Sequence, residues 1–117
     1  MKASDLRLGN IVGVCYETPL LPEQVIVLEP DAVHLSNRKY PDSDRDIVGI
    51  PLSEKWLTEF KFRYNSAFEH WSNHNVIIWK ISEASKEFWE VESKAGSWKI
   101  SFVHELQNLL HVLKLLT

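Results

Sequence analysis

Five histidines, one cysteine and three alternating aspartates are the side chains of this 117-residue chain that could carry chemistry. His70 and His74 stand four apart, the spacing at which two imidazoles share a helix face and can hold a metal together. Zinc proteases place a glutamate directly after the first histidine as general base. Trp71 occupies that place, and Asn73 and Asn75 favour a turn. Glu69 could add a ligand, but the segment reads as a polar loop and no metal site is expected. Asp42, Asp44 and Asp46 echo the opening of a calcium loop. That loop then needs a glycine and, at its twelfth position, a glutamate; Ile47 and Ser53 stand there instead.

Cys15 would need a histidine or a helix N-terminus beside it to become a nucleophile. It lies in an apolar pattern next to Tyr16, where a buried structural thiol is the ordinary reading. A single cysteine excludes an internal disulfide and suits a reducing, cytoplasmic compartment. Phosphate loops, dinucleotide fingerprints and nucleophile elbows are absent from the sequence. No cofactor is expected, and the chain reads as a non-enzyme.

One further set of residues recurs at helical spacing near the end. His104, Gln107, Asn108, His111 and Lys114 form a polar stripe, with Leu115 set among them. Two readings stand side by side. The stripe is the solvated side of an amphipathic helix, or it is an interaction surface whose amides and imidazoles hydrogen-bond a partner.

The elements that must position these residues follow from periodicity and turn chemistry. Leu8 to Tyr16 and Gln24 to Glu29 read as strands, and Gly9 and Gly13 point to a bulge or tight bend. Pro30-Asp31 suits a turn returning through Ala32 to Ser36, and residues 37–46 read as a polar loop. Ser53 is a candidate N-cap for a short helix with Trp56, Leu57 and Phe60 on its apolar face. Leu52 and Leu57 stand at hydrophobic-staple spacing. Residues 63–75 carry no clear pattern. Asn75 to Ile81 and Phe88 to Glu92 read as strands, and Trp98, Ile100 and Phe102 alternate inward on another. Val103 to Leu116 is the clearest helix, with Val103, Leu106, Leu109, Leu110, Leu113 and Leu116 on one face. The architecture expected is α+β, a single domain over 1–117. It is a curled antiparallel sheet with a short middle helix and an amphipathic C-terminal helix. Its glycine-bearing first strands are compatible with an SH3-like barrel.

Composition narrows the partners. A net charge of −3 disfavours a general nucleic-acid binder, so nucleic acid is an unfavoured alternative in which Lys61, Arg63 and Lys80 would work with Trp71 and Trp79. The longest apolar runs, Val25 to Leu28 and Val76 to Trp79, are far too short for a membrane span, and the first residues lack a signal-peptide core.

Three segments carry a resemblance: D-L-R-L-G-N at 5–10, I-P-L-S-E-K-W-L at 50–57 and V-H-E-L-Q-N-L at 103–109. In order and spacing they resemble a group of short uncharacterised proteins from Bacteroides-like bacteria and their phages, which open with an LRIGN-like phrase and close with a VHQLQN-like helix. The chain departs from that pattern at Leu110-His111, where an aromatic is usual, and at Leu115-Leu116-Thr117, which replaces a Thr-Gly-acidic tail. The resemblance implies a mobile-element origin and no particular activity. Arg7 to Asn10 would form a bend into the first strand, and Gln107 and Asn108 would tie the last helix to a neighbouring loop. The function expected is a protein-interaction module acting on an unknown protein or on a second copy of itself.

Overall fold

The computed structural model describes residues 3–14, 21–29, 32–35, 39–41 and 47–113. They form two helices and two antiparallel five-stranded sheets, so the α+β class holds, with the strands divided between two sheets. The chain gathers into two compact units, residues 1–50 with 102–117, and residues 51–101. No helix among the described residues is long and apolar enough to cross a membrane.

The first unit begins with a 3-10 turn (Ala3–Asp5) and continues through β1 (Ile11–Val14), β2 (Glu23–Glu29), β3 (Ala32–Leu35), β4 (Lys39–Pro41) and β5 (Ile47–Val48). The order is β4-β3-β2-β1-β5, an open sheet rather than a closed barrel. β4 falls inside the stretch expected to be loop; Tyr40, fully buried, explains it, since one aromatic anchor among polar neighbours is enough to hold a short edge strand. Alternation places Val12, Val14, Val25, Val33 and Leu35 on the inner face, where they cluster with Leu6, Tyr40 and Ile47. Of the bulge or tight bend anticipated at the glycines, Gly9 gives a bend, and a bulge occurs in β2. Val25 pairs with Leu35 but Val27 with His34, so Ile26 is the extra residue. The insertion turns two successive apolar side chains, Ile26 and Val27, outward and returns Leu28 to the core.

The same unit ends in α2 (Val103–Val112). Val103, Leu106 and Leu110 are buried, as the leucine periodicity requires. Phe102 does not point inward from a strand. The preceding strand stops at Ile100, and Phe102 becomes the helix N-cap, 38% exposed. Its side chain cannot accept a hydrogen bond, so Glu105 supplies half of a capping box by accepting from the Phe102 N–H at 3.0 Å. Gly49 is required beside it, because a Cβ there would stand 2.6 Å from the Phe102 ring.

The second unit holds α1 (Glu54–Glu59), β6 (Arg63–Asn65), β7 (His70–Asn73), β8 (Val76–Glu83), β9 (Lys86–Ser93) and β10 (Gly96–Ile100), the strands running as a meander. Ser53 has the extended backbone of an N-cap but makes no side-chain cap bond. The helix stops by a Schellman arrangement. Phe62 N–H donates to Leu57 C=O at 2.9 Å and Lys61 N–H to Thr58 C=O at 3.1 Å, with Lys61 at φ +71° in the position glycine usually takes. Leu57 and Phe62, the apolar pair of that motif, are both buried. On the sheet, Val76, Ile78, Trp89, Val91 and Ile100 share the buried face, and Trp89 Nε1 donates to Leu52 C=O at 3.1 Å.

Leu106 has no exposed surface. Leu106→Ala should therefore cost about 2–5 kcal/mol in urea unfolding. Leu106→Asp should leave no cooperative transition, because a buried carboxylate there has no partner. A parent-like melt for the aspartate variant would show that this face does not pack inward.

Candidate functional site

The first and last of the three segments noted in the sequence meet in the first unit. Leu8 and Gly9 form a turn, with Gly9 at φ +87°, a conformation costly for any residue with a Cβ. Asn10 closes that turn from both sides. Its N–H donates to Arg7 C=O at 3.1 Å, and its Oδ1 accepts the Arg7 N–H at 2.7 Å. The β1–β2 ladder extends back into the turn through Gly9 N–H to Val25 C=O and Val25 N–H to Asn10 C=O, both 2.8 Å.

Two amides of α2 lock onto this turn. Gln107 Oε1 accepts the Ile11 N–H at 2.7 Å while Gln107 Nε2 donates to Gly9 C=O at 3.1 Å. Asn108 Oδ1 accepts from Asn10 Nδ2 at 2.8 Å, and Asn108 Nδ2 donates to Asp5 C=O at 3.3 Å. Asn10 is buried, and its carboxamide is satisfied at both ends. The bend at Arg7 to Asn10 and the tie through Gln107 and Asn108 expected on physical grounds are thus present as one hydrogen-bonded network.

The stripe on α2 is consequently not a solvated face along its length. Gln107 and Asn108 are half-buried and committed to the network. His104 is buried, because its ring lies against Phe102, with centroids 5.9 Å apart and planes within 13°. Its Nδ1 is enclosed without a hydrogen-bond partner. Burial pushes the His104 pKa below its usual 6.5, and Glu105 and Asp5 pull less strongly the other way. A depression of about 410 Å³ beside it is lined by Asp5, Phe102, His104, Glu105 and Asn108. Only His111 of the stripe is exposed; Lys114 and Leu115 lie outside the described residues.

A larger open concavity, about 700 Å³, forms where the turn, β2 and α2 converge. Leu6, Leu8 and Leu28 line it together with Arg7, Gln24 and His111. Leu8 is 65% exposed. Of its lining, Gln107, Asn108 and His111 belong to the polar stripe expected as an interaction surface, whereas Leu8 and Arg7 do not. The available signal was a leucine between an arginine and a glycine, in a turn where polar residues are usual.

Other candidates separate. His70 opens β7 and His74 sits in the next turn at φ +53°, so they share no helix face. His70 stacks on Phe68 and meets Trp79 edge-on. Among the described residues no group of three histidine, cysteine, aspartate or glutamate side chains could hold a metal. Cys15, Pro30-Asp31, and Asp42, Asp44 and Asp46 lie outside the described residues. The register also divides the residues of the nucleic-acid alternative. Trp71 pairs with Ile78 on the buried face, whereas Trp79 pairs with Glu90 on the other. Lys80 Nζ lies 3.5 Å from Glu87 Oε2 and over the Trp89 ring, and Lys61 follows the C-cap of α1.

Two outcomes follow from this geometry. Gln107→Leu keeps the side chain's bulk but strips the Ile11 N–H and Gly9 C=O of their partner. It should cost about 1–3 kcal/mol in denaturant unfolding; an unchanged midpoint would mean that water replaces the amide freely. His104 governs an acid effect. Below pH 6.5 the unfolded chain takes up a proton that the folded chain accepts only at lower pH. Its contribution is therefore fully present above pH 6.5 and lost as pH falls toward the lowered value. Stability measured against pH should lose this component in His104→Phe, and identical pH slopes for parent and variant would contradict it.

Family models, curated proteins and solved structures yield no match to the chain, so its own geometry is what bears on the role of the site.

Proposed function

We propose that the chain is a non-enzymatic protein-interaction module of mobile-element origin, acting in the cytoplasm, and that it meets its partner through the concavity around Leu8. One observation carries this reading. The polar groups of Asn10, Gln107 and Asn108 are used inside the fold, and what they hold in place is an exposed leucine. An apolar side chain presented by a turn fixed in this way loses little freedom on binding. Arg7 and His111, which also line the concavity, supply hydrogen-bond donors beside it. That combination matches the apolar centre and polar surround of a protein contact. The resemblance to small proteins of bacteria and their phages supports the origin.

A photo-crosslinking side chain placed at position 8, and separately at exposed position 94, tests this in cells. A discrete protein adduct is expected from position 8 and none from position 94. Leu8→Ser should abolish binding of the adduct partner while changing stability by no more than about 0.5 kcal/mol. Equal labelling at both positions, or none at position 8, would remove the proposal.

A further inference from the structure

Strand β6 is the last strand in the order of the second unit's sheet, so among the described residues no strand lies beside one flank of its backbone. Arg63, Tyr64 and Asn65 are all exposed. Natural sheets usually blunt such an edge with lysine, proline, a bulge or a covering segment. β6 has neither proline nor bulge, and its one charge, Arg63, stands at its start.

Exposed rings stand at the same edge and are held in place. Tyr64, 52% exposed, leans on Trp71 with centroids 5.3 Å apart, on the face that includes Ile78. Phe68, 70% exposed, stacks on His70 at 5.7 Å, and His70 meets Trp79 at 5.6 Å on the opposite face. The turn carrying Phe68 is tied by Asn65, whose Oδ1 accepts the Ala67 N–H at 2.9 Å and the Phe68 N–H at 3.3 Å. Large apolar rings kept exposed and ordered are the usual anchors of protein contacts.

We propose that β6 accepts an extended segment of a partner protein by strand addition, with Tyr64 and Phe68 gripping the segment from opposite faces. Main-chain hydrogen bonds supply affinity in this mode and the flanking side chains supply selection. Arg63 favours an acidic residue in the segment. Three residues of edge bury far less than the roughly 1,200–2,000 Å² of a stable protein pair, so the occupant is a linear segment and not a second copy. This site belongs to residues 51–101, and the Leu8 concavity belongs to the other unit.

The test selects a displayed library of random peptides against the full chain. Enriched peptides should alternate apolar residues, carry an acidic one and protect the Arg63–Asn65 amides from hydrogen exchange. Tyr64→Ser and Phe68→Ser should each weaken them about tenfold or more, and Leu8→Ser should leave them unchanged. N-methylation of alternate peptide nitrogens should weaken binding as strongly with the protein unaltered. An empty selection, protection mapping elsewhere, or tolerance of N-methylation would overturn the proposal. Concentration-dependent dimerisation that protects β6 would overturn it too, by making a second copy the occupant.

Discussion

The carboxamide of Gln107 closes the first unit on itself. It accepts from the Ile11 N–H and donates to the Gly9 C=O, the two backbone groups that flank Asn10 and that a residue of a parallel strand would engage. The side chain thus behaves as one residue of an additional strand, supplied by a helix 96 positions away. Only an amide offers a donor and an acceptor in that geometry; a glutamate lacks the donor and a lysine the acceptor. Bringing together segments so distant carries a large loop-closure cost. The Asn10–Asn108 bond and the burial of Val103, Leu106 and Leu110 offset it together.

The consequences run outward from that amide. With the turn at Arg7 to Asn10 held from behind, Leu8 has nowhere to fold away and remains in solvent. With Asn108 bonded to the Asp5 carbonyl, the 3-10 turn is tied to α2, and Asp5 lines the depression beside His104. A buried imidazole in the first turn of a helix is disfavoured as a cation both by desolvation and by the helix dipole. The closure that leaves Leu8 in solvent thus borders the imidazole that makes the unit sensitive to acid.

Much of this was legible in the chain, and the failures have physical causes. β2, β3, α1, β8, β9 and α2 follow from periodicity, because each has a face that must be buried. On α2 the tie made by Gln107 and Asn108 was legible, but the burial of His104 in the same polar stripe was not. Periodicity reports which residues avoid the leucine seam, not whether a distant segment returns to cover them, as residues 5–11 do. Residues 63–75 resisted reading because β6 is exposed throughout and β7 is only half-buried, so neither alternates apolar with polar. The β8–β9 hairpin turn, Ala84-Ser85, lacks the asparagine and glycine that usually announce it.

That hairpin belongs to a wider habit of the second unit. Lys61, Glu69, His74, Ala84 and Ser85 all adopt positive φ, and none is glycine. Left-handed backbone costs a residue with a side chain roughly 1 kcal/mol, so these corners are held by the strands they join and do not direct them. The unit therefore carries an engineering reserve. Glycine or asparagine at the exposed corners would relieve strain without touching the core, and the increments would sum where the corners are well separated. A thermally hardened form of this fold is within reach through its loops alone.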